Sequence, residues 1–256
     1  MNIRILGAHN IESKNSRCPS FVIDGVLAVD AGALTSGLSF AEQQRLKAVL
    51  LTHQHYDHTR DIPALGMNFF LFEKTIEIYT TPPVREILSA HLLNDVLYPD
   101  FTKKPPEKPA ILFKTIEAGR PETIAGYEVL PLMVNHAVPT VGYQITSPDG
   151  KKVFISSDTG PELADCWQQI SPDLLIIEVT MLDKWDSFAH QSGHLTPTLL
   201  RQELASFRKI KGYLPQVVLK HMNPLDEKAI KSEIAIVEKA LNTKIRFGRE
   251  GMQIKI

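Results

Sequence analysis

The apolar run Ala48-Val49-Leu50-Leu51 leads directly into Thr52-His53-Gln54-His55-Tyr56-Asp57-His58, and this junction constrains the chain more than any other stretch. Four consecutive apolar residues read as a buried strand, and the polar residues after them as the turn that ends it. Within six residues that turn carries three imidazoles, His53, His55 and His58, and one carboxylate, Asp57. A solvated loop needs polarity, but it has no use for histidines at spacings of two and three beside an aspartate. Imidazole nitrogen and carboxylate oxygen suit zinc, iron or manganese, and alternate side chains of a tight turn face two neighbouring points. The pattern predicts a seat for two metal ions, so the rest of the chain must bring further ligands to the end of that strand.

Other strands are predicted over 3–6, 21–24, 27–30, 76–79, 112–116, 127–134, 141–146, 153–155, 174–179, 217–219, 245–247 and 252–256. Ser39 with Glu42 fits a capping box for a helix reaching about Leu46, and helices follow over 61–70, 82–92, 161–170, 197–207 and 226–241. The stretch 174–179 reads as an apolar strand buried on both faces. The segment 94–109, rich in proline and lysine, fits no regular element and is either a passive connection or a lid over the site. The strands read as antiparallel groups with helices interspersed in both halves. Two sheets packed face to face, with helices outside, bury these patterns most economically, an arrangement of the α/β (α+β) class. The 256 residues suit one layered domain, and no internal repeat is visible.

A formal net charge of -1 argues against a polyanion binder, which would need an excess of Lys and Arg to neutralise phosphates. Cys18 and Cys166 make no disulfide framework and read as buried thiols of a reducing compartment. The chain enters a strand at once, without the layout of a signal peptide, and no apolar stretch is long enough to cross a bilayer. A cytoplasmic protein is expected.

Further candidate ligands stand at strand ends: His136 after 127–134, Asp158 in Ser157-Asp158-Thr159-Gly160, and His221 after 217–219. Gly160 is expected to allow a sharp exit from the hairpin. In this setting the sequence resembles the metallo-β-lactamase-fold hydrolases, whose signature H-x-H-x-D-H is matched by His53, His55, Asp57 and His58. The resemblance implies an αββα four-layer sandwich. It also implies one metal held by His53, His55 and His136, a second held by Asp57, His58 and His221, and Asp158 bridging the two. A narrower resemblance is to the bacterial cyclic-nucleotide phosphodiesterases related to class II cAMP phosphodiesterases. It rests on the stretches 18–24, Tyr98-Pro99-Asp100-Phe101, 135–139, 157–160 and Ser192-Gly193-His194-Leu195-Thr196-Pro197. Tyr56 departs from it, since those relatives commonly have leucine there.

His194 is additional to this ligand set and precedes a helix whose N-terminus favours an anion. It is the candidate general acid for a leaving alkoxide, with Asp57 serving the chemistry as well as the metal. His91 reads as a helix-surface residue, and His190 as a residue either behind the ligands or at the surface. The expected activity is hydrolysis of cyclic nucleotides or related small phosphodiesters, assisted by two divalent ions, zinc first and manganese or iron as alternatives. Ribonuclease Z-like processing is weakened by the missing basic arm, and lactone or thioester hydrolysis remains open because the same metal hydroxide attacks carbonyls. The expected partner is a small diester rather than nucleic acid or membrane, and the resemblance extends to a homodimer.

Overall fold

The computed structural model describes residues 1–256. The first sheet is made of β1 (Asn2–Gly7), β2 (Ser20–Ile23), β3 (Leu27–Val29), β4 (Ala48–Leu50), β5 (Ile76–Thr80) and β6 (Ile111–Thr115). The second is made of β7 (Glu122–Ile124), β8 (Tyr127–Val134), β9 (Thr140–Thr146), β10 (Lys152–Ile155), β11 (Leu174–Glu178), β12 (Gln216–Lys220) and β13 (Ile245–Phe247). The last strand, β14 (Gln253–Lys255), returns to the first sheet beside β1. The strand orders are β14-β1-β2-β3-β4-β5-β6 and β13-β12-β11-β10-β9-β8-β7.

The helices are α1 (Leu34–Gly37), α2 (Phe40–Gln43), α3 (Tyr56–Thr59), α4 (Ile62–Leu71), α5 (Pro82–His91), α6 (Ala164–Gln169), α7 (Asp186–Ser192), α8 (Pro197–Lys211) and α9 (Glu227–Leu241). The Ser39 capping box forms as the sequence predicts, but α2 ends at Gln43, short of Leu46. Strand β7 and helices α1, α3 and α7 have no counterpart in the sequence reading. Each spans seven residues or fewer, too short to display a period.

Antiparallel grouping holds for only half of the ladder. In each sheet three pairings are antiparallel and three parallel. The division follows the connections. Strands joined by short turns, such as β8 and β9, run antiparallel, whereas strands joined through helices, such as β10 to β11 through α6, must run parallel. Both halves of the chain repeat this scheme, a run of hairpins and then helical crossovers, although their sequences show no repeat.

Alternation along the strands builds the layers. In β11, Leu174 and Ile176 face the other sheet, packing with its Phe21 and with Val129 and Tyr143 of their own sheet, while Leu175 and Ile177 face α6, α8 and α9 with Trp167, Phe207 and Ile234. On the far side of the first sheet, Ile76 and Ile78 pack with Leu34, Phe69, Val84 and Leu88 from α1, α4 and α5. The result is the expected αββα sandwich. Burying each such aliphatic side chain contributes about 1.5–3 kcal/mol. Segment 94–109 is irregular, as predicted; its Phe101 is buried against Gly66 of α4 and Ile111 of β6.

One buried carboxylate ties two outer helices together. Glu203 of α8 accepts hydrogen bonds from the Trp167 indole N–H (2.8 Å) and from the backbone N–H of Glu162 (2.8 Å), just ahead of α6. Removing the carboxylate leaves these donors without a partner, at about 1–3 kcal/mol each. Glu203→Leu is therefore expected to lower the unfolding free energy by about 2–4 kcal/mol, read as a lower urea midpoint at unchanged slope.

Candidate metal centre

Strand ends build the centre. β3, β10 and β12 are each followed within two residues by a non-glycine residue in the left-handed region: Asp30 (φ 58), Ser157 (φ 63) and His221 (φ 63). Such conformations cost of order 1–3 kcal/mol each and persist only where the surroundings fix them. Here they turn Asp30, Asp158 and His221 inward towards the β4 turn that carries His53, His55, Asp57 and His58. The sharp exit expected at Gly160 is thus made at Ser157 instead. Gly160 serves a close approach, because a Cβ there would stand 3.3 Å from Gly193 Cα. Gly193 itself has φ +69, and a Cβ on it would meet His136 Cα at 2.7 Å.

The structure brings together all seven residues singled out as ligands. His53 Nε2 lies 3.1 Å from His55 Nδ1, which lies 3.2 Å from His136 Nε2. Beside them, Asp158 Oδ2 stands 3.2 Å from His58 Nε2 and 3.0 Å from His221 Nε2, with Asp57 Oδ2 at 3.4 and 3.2 Å from the same two nitrogens. Donor atoms of His53, His55 and His136 form one convergent group, and those of Asp57, His58, Asp158 and His221 another. Asp158 Oδ2 is also 3.9 Å from His53 Nε2, so it lies on the seam between the groups.

What each imidazole does with its outer nitrogen decides what points inward. The Thr52 hydroxyl donates to Asp30, so its oxygen accepts from His53 Nδ1 at 3.0 Å. The Thr180 hydroxyl donates to Glu178, so its oxygen accepts from His221 Nδ1 at 2.7 Å. His136 Nδ1 donates to the Gly193 carbonyl at 2.8 Å, and His58 Nδ1 to Asp30 Oδ2 at 2.7 Å. In the neutral ring, a proton fixed on Nδ1 leaves Nε2 as a bare lone pair. Burial keeps His53 and His136 neutral, with pKa values below the usual histidine range. Their two lone pairs face one His55 nitrogen, whose single proton could satisfy only one of them. A divalent cation satisfies all three, so the donor set fits a metal.

Charge in the second group leads to the same result. Burial opposes a charge on His58, yet Asp158, Asp30 and Asp57 together hold its pKa well above the usual range. Burial likewise opposes ionising Asp158, but His221, His58 and Lys220 keep its carboxyl well below the usual range. Asp57 is held at about 2, with His58 and His221 overcoming its burial. The concentrated negative charge draws a proton onto His58, and a divalent cation among the same donors would take that proton's place.

His194 sits at the same centre. A donor atom of its ring lies within 4.8 Å of donors of both His136 and Asp158, and its ring stacks on His221 with centroids 5.4 Å apart. Its Nδ1 donates to Glu178 Oε1 at 2.7 Å. Burial pulls its pKa down, but the Glu178 carboxylate wins and raises it to about 9. His91 is exposed, as the sequence suggests, and His190 lies at the surface 3.8 Å from Asp186. Cys18 and Cys166 are buried and unpaired.

The sequence reading missed the residues that orient the ligands: Asp30, Thr52, Glu178, Thr180 and Lys220. Lys220 is wholly buried, with Nζ donating to Asp158 Oδ1 at 2.7 Å. Glu178, counted above within an apolar strand, is also wholly buried. The available signal was a charged residue closing an otherwise apolar strand, at Val29-Asp30, Ile177-Glu178 and Leu219-Lys220.

A cavity of about 910 Å³ opens over the centre, lined among others by His55, Asp57, Asp158, His194 and His221. None of its lining residues comes from 94–109. No helix is long and apolar enough to cross a membrane.

The family model described as the beta-lactamase superfamily domain matches residues 21–222, leaving β1, α9, β13 and β14 outside the matched stretch. No curated protein matches the chain significantly. Among solved structures, it is similar to yeast PDE1 at 17% identity, covering 100% of this chain and 99% of that one, with a TM-score of 0.85. It is similar to YhfI, a metallo-β-lactamase fold protein from Bacillus subtilis, at 19% identity, covering 99% and 98% of the two chains, with a TM-score of 0.78. Human tRNase Z, short form, is 20% identical, with 100% and 99% covered and a TM-score of 0.71. With a family match across most of its length and the αββα sandwich that carries the site, the chain belongs to the beta-lactamase superfamily and has the metallo-β-lactamase fold.

Proposed function

We propose that the protein is a phosphodiesterase that hydrolyses cyclic nucleotides or related small phosphodiesters with the help of two divalent ions, zinc first. One observation carries this reading: His194 stands at the centre in addition to a complete ligand set, held as a cation by Glu178. In the reading, His53, His55 and His136 hold one ion, Asp57, His58 and His221 the other, and Asp158 reaches both. The ions would supply charge to polarise a phosphoryl oxygen and ease deprotonation of an attacking water. His194 contacts the phosphate and gives its proton to the departing alkoxide, while Glu178 keeps the ring oriented and charged. Asp57 adds a carboxylate at the cavity floor to orient the water. Likeness to yeast PDE1 across the whole chain is in keeping with this chemistry.

Small substrates suit the cavity. No lysine or arginine lines it, whereas gripping a polynucleotide takes several basic contacts. Carbonyl hydrolysis is the competing reaction; a thioester, whose thiolate leaves readily, gives an extra acid such as His194 less to do, whereas the alkoxide of a lactone would use it as that of a phosphodiester does.

Four outcomes test the reading. Purified protein is expected to contain bound metal and to hydrolyse bis-p-nitrophenyl phosphate and 2′,3′- or 3′,5′-cyclic nucleotides, with loss of turnover in chelator and recovery in zinc or manganese. Turnover of lactones or thioesters alone would refute it. His194→Ala is expected to keep its metal content while kcat falls about 10²–10⁴-fold, the usual range for a lost acid. Asp158→Ala is expected to lose metal as well as activity, measured by elemental analysis of the dialysed variant. Finally, chelation should lower the thermal midpoint, because a ligand present at 100 times its Kd stabilises the native state by about 2.7 kcal/mol.

A further inference from the structure

Aromatic side chains stand exposed at the mouth of the cavity. Trp185 ends the short 3-10 turn Asp183–Trp185 and is 51% exposed; Phe188, on the first turn of α7, is 55% exposed; Tyr56, at the start of α3, is 69% exposed. All three line the cavity that opens on His55, Asp57 and His194. The contrast within the chain is informative: its other tryptophan, Trp167, is fully buried in the core between α6 and α8. Trp185 and Phe188 are three residues apart on consecutive turns, and Met181 joins them in the lining. Leaving this much aromatic surface in water is unfavourable, and beside a reaction centre it is a platform for a planar group.

The charges of the lining narrow what that planar group can be attached to. Asp57, Asp158 and Asp226 line the cavity, without a lysine or arginine. One phosphodiester charge is met by the cations proposed above and by His194. A second phosphate or a nucleic-acid strand finds no cation beyond the centre and faces Asp226.

Resting on the phosphodiesterase reading, we infer that Trp185, Phe188 and Tyr56 form a stacking wall that selects phosphodiesters bearing one nucleobase and a single negative charge. The phosphate sits at the centre and the base lies against the wall. Tyr56 then has a definite part as a third exposed aromatic face lining the same cavity.

The test compares metal-loaded wild type with the Trp185→Ala/Phe188→Ala double variant on 3′,5′-cyclic AMP and on glycerol 1,2-cyclic phosphate, which has no base. The ratio of kcat/KM between the two substrates is expected to fall about 10- to 100-fold in the variant, carried by KM for cyclic AMP. Trp185→Phe, which keeps a stacking face, should stay near the wild-type ratio. An unchanged ratio would overturn the wall, and so would an unchanged ratio accompanied by a change in oligomeric mass, which would make this face a contact between copies. Binding is read separately from turnover by quenching of tryptophan fluorescence with the slowly hydrolysed phosphorothioate analogue of cyclic AMP, which bears a single negative charge, using Trp185→Phe to supply the Trp167 background. Saturable quenching that weakens in Phe188→Ala, in a protein that hydrolyses no diester, keeps the wall and removes the phosphodiesterase reading. Diester hydrolysis with no quenching removes the wall and keeps that reading.

Discussion

Asp158 is the group on which the rest of the centre depends. Its carboxylate is buried at the seam between two sheets, where an unpaired charge would cost several kcal/mol or be neutralised by a proton. One oxygen is held by Lys220, which comes up from inside β12, and the other faces His58 and His221. Two of these contacts come from the end of β12 and one from the turn after β4, so the carboxylate, itself just past β10, can stay charged only if β4, β10 and β12 finish at the same level. The demand runs outward as well. His58 and His53 both lean on Asp30, the second through Thr52, while His221 and His194 both lean on Glu178, the first through Thr180. Two buried carboxylates, one per sheet, therefore orient four of the six imidazoles.

Parallel crossovers explain why those ends coincide. A strand that returns through a helix points the same way as its predecessor, so β3 and β4 in the first sheet, and β10, β11 and β12 in the second, deliver their C-terminal ends to one edge of the sandwich. The antiparallel hairpins serve another purpose: they widen each sheet and supply the inter-sheet core of Phe21, Val129 and Tyr143. Tyr143 links the two roles, because its buried hydroxyl donates to the Leu51 carbonyl at 2.7 Å, fixing the strand that enters the histidine turn.

Much of this was legible in the sequence, because the strongest signals were ones that a core has no use for. Three histidines and an aspartate within six residues have no packing role, and His136, Asp158 and His221 each close a run of apolar residues. The strands and the longer helices showed through their periods, and β8 spans Tyr127–Val134 as read. Pairing direction did not show, since a short apolar strand looks the same whichever way its neighbour runs. Nor did the orienting residues, because a threonine or glutamate gains its meaning from the imidazole beside it in space: Glu178 reaches His194 across sixteen positions of chain. Ser157 and Gly160 show the same limit at the level of backbone, where a glycine that looked like the turn is instead a point of close approach.

Centre and rim differ in how they are held. Every ligand hangs from a strand end or from the turn after β4, inside a network in which one lost partner exposes a buried charge. The segment with Trp185 and Phe188, by contrast, lies between β11 and α8 and is pinned at its root. Asp183 accepts from the Thr198 backbone and hydroxyl at 2.7 and 2.8 Å, and its own N–H donates to Glu233 at 3.0 Å. Below that anchor the aromatic side chains carry no hydrogen bond to the centre, so they can be exchanged without disturbing the ligands. Such a division would let one sandwich keep its reaction chemistry while a short, separately anchored stretch of chain sets the choice of substrate.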